Sequence, residues 1–187
     1  MKNTKANELL DFWYSADTKK AWFSSTTVID SNIRQRYENL WQQATQGELH
    51  DWINSAEGCL ALIILLDQLP LNMFRGTKKS FSSEQQAVKV CYHAIKNSFD
   101  QEIIHQSANE KIAFLYMPLM HSENMDDQNN AVKYFEATSL KGNIRFAKHH
   151  RDIIEKYGRF PHRNDILNRE NTAAENEYLN SEEAFLG

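Results

Sequence analysis

The sequence is poor in glycine, proline and cysteine. It has six glycines and three prolines in 187 residues, which leaves little material for the many tight turns of a β-sandwich. Its two cysteines, Cys59 and Cys91, lie in apolar helical patterns and form no CxxC pair. We therefore expect buried, reduced thiols, which are typical of the cytoplasm, and a structure made of helices.

Long hydrophobic runs and an excess of positive charge are also missing. The longest apolar run, Cys59 to Leu66, is far shorter than the roughly 20 residues that a membrane-spanning helix needs. The first residues lack the apolar core of a signal peptide. The net charge is −4, whereas a general nucleic-acid binder is usually basic. We expect a soluble protein with neither membrane nor nucleic-acid partners, folded as one domain over residues 1–187, with an acidic helix or tail from about 172 to 187.

Helical periodicity runs through the whole chain, and no strand-like alternation competes with it. The pattern predicts an all-α fold: a single compact multi-helix domain. Two stretches, Ala56–Leu69 and Lys111–Met120, are apolar on nearly every side and are predicted to be central helices. The expected starts and stops are N-caps at Asp30 or Ser31, at Ser55 and at Ser82 or Ser83, capping boxes at Ser107–Glu110 and Thr172–Glu175, and glycine stops at Gly47 and Gly158.

Each of the three prolines lies within a few residues of polar side chains at the edge of an apolar segment. The residue before a proline is biased away from helical geometry, so we expect helix ends there and a convergence of the three segments at one end of the domain. Arg75 is the nearest candidate partner for Asp67. The candidate site residues are Asp67, Gln68, Arg75, His121, Glu123, His150, Arg151, Arg159, His162, Arg163 and Asn164.

Residues 145–164 are the one concentration of basic and imidazole side chains in the sequence. A helical wheel places His150 within an apolar arc and Arg151 at the edge of that arc. The candidate set contains four arginines against two carboxylates, Asp67 and Glu123. A surplus of positive charge of this kind predicts a small anionic ligand or the acidic end of a peptide as the partner.

Catalytic and metal-binding signatures are missing. The sequence has no GxSxG, Walker or GxGxxG motif. The spacing of His121, Glu123, His150 and His162 matches no HExxH pattern, so neither a metal nor a cofactor is expected. Three functions stay open: a binding module with an arginine- and histidine-lined pocket, a small hydrolase or isomerase using His121, His150 and Glu123, and a purely structural module that forms homo-oligomers.

Several motifs resemble one bacterial family, the domain-of-unknown-function family 924. They are LDQLP (66–70), FRGT (74–77), FLYMPLMHSE (114–123), HRDII (150–154) and GRFPHRN (158–164), with FW (12–13), WF (22–23) and GELHDW (47–52) nearer the start of the chain. The resemblance spans residues from about 10 to 178. It implies an all-helical fold similar to tetratricopeptide-repeat proteins and brings no established activity.

Two positions depart from the pattern of that family. Leu71 stands where the aspartate-glutamine-phenylalanine-proline motif of the family usually continues with arginine. This difference removes one positive charge from the expected site. Asn168 replaces the glycine that precedes Arg169. We expect the second difference to be mild, because asparagine tolerates left-handed backbone geometry.

Overall fold

The computed structural model describes residues 4–22, 24–106 and 109–185, and over these ranges the chain is helical with no strand. The α-helices are α1 (Thr4–Trp13), α2 (Ala16–Ala21), α3 (Thr27–Thr45), α4 (Ala56–Ile63), α5 (Leu69–Met73), α6 (Glu84–Lys96), α7 (Phe99–His105), α8 (Asn109–His121), α9 (Met125–Glu136), α10 (Lys141–Tyr157), α11 (Asn164–Leu167) and α12 (Ala173–Leu179). Short 3₁₀ helices cover His50–Asn54, Lys78–Phe81 and Pro161–Arg163. The all-α prediction is confirmed, whereas the tetratricopeptide-like arrangement stays a prediction.

The two stretches that are apolar on nearly every side form the centre of the fold, as predicted. In α4 and the turn after it, Cys59, Ile63 and Leu65 are fully buried, and in α8 Leu115 and Leu119 are fully buried. Each large aliphatic side chain buried in this way contributes roughly 1.5–3 kcal/mol. A single large core therefore includes residues from α1 through α10, with α4 and α8 inside it.

The continuous helical segment Ala56–Met73 is long and apolar enough to cross a membrane by length and composition alone. However, 83% of it is buried inside the protein. Packing against neighbouring helices on all sides accounts for its apolar character, because a core helix meets the same criterion. A cytoplasmic location stays a prediction.

Capping residues lie at the starts and ends of several helices, at positions that the sequence predicts. The Ser55 hydroxyl accepts the Gly58 N–H at 3.1 Å at the start of α4. Thr172 and Glu175 form the predicted capping box at the start of α12. Gly158 follows α10 with φ of +69°, a left-handed conformation that glycine adopts without a steric penalty.

The start of α3 differs from the prediction. The helix begins at Thr27, and the hydroxyl of Thr26 accepts the Ile29 N–H at 3.4 Å. The expected cap residues Asp30 and Ser31 lie inside the first turns. Thr26, Asp30 and Ser31 are all acceptable N-cap residues, so composition alone does not select among them. The predicted capping box at Ser107–Glu110 includes residues outside the described ranges.

Two of the three prolines do not end helices where the sequence predicts. Pro70 lies in the first turn of α5 and Pro118 lies inside α8, whereas Pro161 does follow an extended residue and opens a 3₁₀ turn. Proline lacks the N–H that would bond the carbonyl four residues earlier. At Pro70 that carbonyl belongs to Leu66, and it accepts the Ser83 hydroxyl at 2.6 Å instead. The helical segment therefore continues past the proline.

Gly58→Ala is expected to destabilise the protein although alanine is the better helix former. A Cβ atom at Gly58 would lie 2.0 Å from the backbone oxygen of Trp52, so the two backbones must separate. We expect a net loss of roughly 1–3 kcal/mol in unfolding free energy, measured by urea denaturation. Gly142→Ala is the matched control, because no atom lies within 4 Å of its added Cβ. Equal stabilities of the two variants would contradict the expectation.

Candidate functional site

Asp67 and His121 form the central contact of the candidate site. Residues Ile64–Gln68 form a π-helical turn between α4 and α5, and π turns of this kind are frequent at functional sites. Both carboxylate oxygens of Asp67 lie 3.0 Å from Nδ1 of His121, at the end of α8. The amide of Gln68 donates to Asp67 Oδ2 and lies 3.3 Å from the sulfur of Met117. Asp67 is thus completely buried and satisfied.

The other edge of the His121 ring faces solvent. A carboxylate only accepts hydrogen bonds, so Nδ1 carries the proton that is donated to Asp67. The Nε2 atom makes no hydrogen bond within the described residues, and 17% of the side chain is exposed. Burial lowers the pKa of His121, but the charge and hydrogen bond of Asp67, with the charge of Glu84, raise it above its ordinary value overall.

Glu84 and Arg163 form a buried ion pair beside this contact. Arg163 Nη1 donates to Glu84 Oε2 at 3.1 Å, and the two side chains are only 7% and 12% exposed, respectively. The guanidinium carbon lies 4.6 Å from the ring centre of Phe81 and 4.7 Å from that of Phe160. The Oε1 atom of Glu84 and the Nε atom of Arg163 are buried without a hydrogen-bond partner.

The charges of these four residues act on one another. Burial raises the pKa of Glu84 to about 7; Asp67 adds to the increase, while Arg163 and His121 oppose it. Asp67, Glu84, His121 and Arg163 are named the central polar cluster below. Within it, the pKa of the Glu84 carboxyl and the pKa of the His121 imidazole are both raised, and groups with shifted pKa values of this kind are frequent at functional sites.

The C-terminal end of α8 has carbonyl groups that no later helical N–H can reach. The Met120 carbonyl accepts Gln128 Nε2 at 2.8 Å and His150 Nδ1 at 3.2 Å, and Gln128 also donates to the Ser122 carbonyl at 2.7 Å. His150 is buried, as the helical wheel predicts, and its Nε2 atom has no partner. Burial, with the charge of His121, lowers the pKa of His150 to about 3, so its imidazole is neutral.

Four aromatic and imidazole rings beside the central polar cluster contact one another in a closed cycle. The ring centre of His150 lies 5.3 Å from Phe160 and 4.5 Å from Phe185, and that of His162 lies 5.6 Å from Phe160 and 5.1 Å from Phe185. These four residues are named the ring cluster below. Burial, with the charge of Arg163, lowers the pKa of His162 to about 4, and its Nδ1 atom is buried without a partner.

Glu123 anchors the turn at residues 158–164 and is not free for catalysis. It accepts the Phe160 N–H at 2.8 Å and both Nη atoms of Arg169 at 2.6 and 2.9 Å. Burial raises the pKa of Glu123, but these bonds lower it overall. Arg169 Nε also donates to Asn164 Oδ1 at 2.9 Å. Asn168 has φ of +55°, the left-handed geometry expected of it.

The predicted surplus of arginine is wrong, because all four arginines of the candidate set bind carboxylates. The pairs are Arg75 with Asp30, Arg151 with Asp152, Arg159 with Glu175 and Arg163 with Glu84. None of these four carboxylates lies in the proline segments from which the charges were counted. The expected pairing of Arg75 with Asp67 is therefore wrong as well. Arg151 is half-buried, as expected at the edge of the apolar arc, and it binds the adjacent Asp152.

The structure gathers only part of the candidate set around His121. The candidate residues that form or adjoin the central polar cluster are Asp67, Gln68, His121, His150, His162 and Arg163. Three candidate arginines, Arg75, Arg151 and Arg159, lie outside it. Glu123 and Asn164 stabilise the neighbouring turn at residues 158–164. Within residues 4–22, 24–106 and 109–185, no group of three His, Cys, Asp or Glu side chains is arranged to hold a metal ion.

Three residues of the site were missed by sequence reasoning. Glu84 looks like an ordinary first-turn acid of α6, and Phe185 follows an acidic stretch that suggests a solvated tail. Arg169 was noted only as the neighbour of Asn168. The one signal that could have found Glu84 is the need of a buried Arg163 for a carboxylate, but nothing in the sequence selects which carboxylate.

Comparisons with known proteins agree with this fold. The family described as "Bacterial protein of unknown function (DUF924)" matches residues 9–183. A solved structure of a protein of unknown function, ATU0120 from Agrobacterium tumefaciens, is similar with a TM-score of 0.85 and 36% sequence identity, covering 94% of this chain and 97% of that one. No protein with a curated description matches. The chain therefore belongs to the DUF924 family of bacterial proteins of unknown function.

Proposed function

We propose that the protein binds a small polar molecule at the exposed edge of His121 and exchanges a proton with it, as small hydrolases and isomerases do. The observation that supports the proposal is the contact between Asp67 and His121. Asp67 has both oxygens 3.0 Å from Nδ1 and no exposed surface, while Nε2 of the same ring has no partner and the side chain is partly exposed.

The contact assigns a role to each atom. Asp67 fixes the ring orientation and keeps the proton on Nδ1, so Nε2 is the atom that can accept or donate a proton. The raised pKa of His121 increases its charged fraction near neutral pH, and this favours the role of general acid. Glu84, with a pKa near 7, is the second group whose protonation can change at the same pH.

The ligand is proposed to be small and polar. The reason for expecting an anionic ligand was an arginine surplus, and each of those arginines has a carboxylate partner. Binding of a small anion or of an acidic peptide, and homo-oligomer formation, stay predictions. The structural alternative, in which Asp67 and His121 only join the central helices, is favoured by the complete burial of Asp67.

His121→Gln is expected to reduce turnover strongly while leaving the protein folded. The test is a hydrolysis and isomerisation screen of small esters, lactones, phosphate monoesters and hydroxy ketones with the wild-type protein and the variant. General acid–base catalysis is worth about 10²–10⁴-fold, so the loss in kcat/KM should lie in that range. Asp67→Asn should shift the pH profile toward acid, because the carboxylate raises the pKa of His121.

The control for this screen is His50→Gln, since the His50 side chain is 74% exposed and distant in the chain from the site. It should turn over at the wild-type rate. A wild-type protein that is inactive on the whole panel, or a His121→Gln variant with undiminished turnover, would favour the structural alternative. Circular dichroism of each variant checks that the fold is retained.

A further inference from the structure

The ring cluster contains polar atoms that the protein itself does not satisfy. Nε2 of His150 and Nδ1 of His162 are both buried and have no hydrogen-bond partner within the part of the chain that the structure describes. His150 is only 5% exposed. A buried polar atom that makes no hydrogen bond costs about 1–3 kcal/mol, so two such atoms next to one ring require an explanation.

The chemical character of the His150 atom follows from its other bond. Nδ1 of His150 lies 3.2 Å from the Met120 carbonyl, which only accepts, so Nδ1 carries the proton. Burial lowers the pKa of His150 to about 3, so the ring is neutral. Nε2 is therefore an unprotonated acceptor, and a group placed next to it must donate an N–H or O–H to satisfy it.

The ring that covers both histidines is Phe185, which has no polar atom. Its centre lies 4.5 Å from that of His150 and 5.1 Å from that of His162. Phe185 is partly exposed, whereas Phe160 on the opposite side of the cycle is 1% exposed. Phe185 is thus the more exposed of the two phenylalanines in the ring cluster, and its ring packs against both histidines that carry the unsatisfied nitrogen atoms.

The backbone around Phe185 lies outside the regular helices and is fixed by few hydrogen bonds among the described residues. It follows α12 in a turn without regular helix, and the Phe185 N–H donates to the hydroxyl of Tyr178 at 2.8 Å. Glu182 and Glu183, which precede it, are exposed. Among the described residues, moving Phe185 outward therefore breaks one backbone hydrogen bond and the ring contacts with His150 and His162.

We propose that the space held by the Phe185 ring is a binding subsite for an aromatic ring that carries an N–H or O–H donor, a phenol or an indole for example. Such a ring replaces the aromatic contacts of Phe185 with His150 and His162 and adds the hydrogen bond that Nε2 of His150 lacks. In the unliganded protein Phe185 occupies the subsite in place of the ligand.

This subsite adjoins the proposed proton-transfer site, because Nδ1 of His150 bonds to the carbonyl of Met120, the residue directly before His121. The inference names the substrate class of that site and rests on the proposed function only for the proton transfer, not for binding. Ligand binding by His121→Gln separates the two: phenol binding should survive this substitution even if turnover is lost.

The test is isothermal titration of Phe185→Ala with phenol, indole and toluene. An apolar cavity without an acceptor prefers toluene, because phenol must leave hydrogen bonds to water behind. We expect phenol and indole to bind at least tenfold more tightly than toluene, and at least tenfold more tightly to Phe185→Ala than to the wild-type protein. The double variant with His150→Phe should lose the preference for phenol over toluene.

A second measurement does not depend on the stability of any variant. Saturating phenol added to the wild-type protein should shift the imidazole NMR signals of His150 and leave the ring signals of the exposed Phe146 (44% exposed) unchanged. If Phe185→Ala binds toluene as tightly as phenol, or if phenol moves no His150 signal in the wild-type protein, Phe185 is only a packing residue and the subsite does not exist.

Discussion

Arg163→Met is expected to lower the unfolding free energy by about 3 kcal/mol at pH 8 and by about half of that at pH 5.5. The methionine keeps an apolar side chain between Phe81 and Phe160, which enclose the guanidinium. The variant therefore removes the positive charge and keeps most of the packing between the two phenylalanine rings. What remains is the buried carboxyl group of Glu84 without its cation.

The pH dependence follows from the sign of the Glu84 shift. Its folded pKa, about 7, is raised above the ordinary value of 4.5. The stability that comes from this raised pKa is complete below pH 4.5 and is lost as the pH rises through 7. Arg163 lowers the pKa of Glu84, so without Arg163 the pKa of Glu84 in the folded protein rises further. The penalty of the variant is therefore largest at pH 8 and falls to about half of that at pH 5.5, where Glu84 is largely protonated in both proteins.

Urea denaturation at the two pH values measures this difference. The double variant Arg163→Met with Glu84→Gln should recover most of the loss at pH 8, because breaking a buried pair is costly whereas replacing both partners is often neutral. Arg151→Met is the control, since the Arg151 side chain binds only the adjacent and largely exposed Asp152 and such pairs contribute about 0–1 kcal/mol. Equal losses at pH 5.5 and pH 8 would contradict the ionisation of Glu84.

The fold was predictable because helical periodicity is a local property. The wheel placed His150 in the core correctly, since the direction of a side chain is set by its helical angle. The same wheel placed Arg151 at the edge of the apolar arc, where it is half-buried, but it did not identify Asp152 as the partner, because a long side chain reaches partners that the angle does not determine. The N-cap of α3 at Thr26 was not predictable, because Asp30 and Ser31 are N-cap residues of similar quality. At Pro70 the helix could either end or continue. Ser83 and the π turn decide the outcome at Pro70.

The candidate site was less predictable because its partners are distant in the sequence. His121 is 54 residues from Asp67, and Arg163 is 79 residues from Glu84. A chain of this composition offers many carboxylates to each cation, and only the packing of α6 and α8 against the turn at residues 158–164 selects among them. Counting charges near the prolines therefore overestimated the free positive charge, although it did indicate the region where Asp67, His121 and Arg163 meet.

His150→Phe is expected to gain about 2 kcal/mol of stability relative to the wild-type protein between pH 7 and pH 5. The folded pKa of His150, about 3, is depressed below its ordinary value of 6.5. Its contribution is therefore present above pH 6.5 and is lost as the pH falls through that value toward 3. With these two pKa values, the wild-type protein loses about 2 kcal/mol from this residue between pH 7 and pH 5. Phenylalanine does not titrate and loses none of it.

At pH 7 the same variant loses the hydrogen bond from Nδ1 to the Met120 carbonyl, a cost of about 1 kcal/mol or less. The cost is small because Gln128 still donates to that carbonyl. Replacing His150 also removes the unpartnered Nε2 atom, which offsets that loss, so His150→Phe should be about as stable as the wild-type protein at pH 7 and about 2 kcal/mol more stable at pH 5. Urea denaturation of both proteins, with His50→Phe at a largely exposed position as the matched control, measures the difference at each pH. Parallel losses of stability in wild type and His150→Phe would mean that His150 is charged in the folded protein. It would then not be the neutral acceptor that the ring-donor subsite needs.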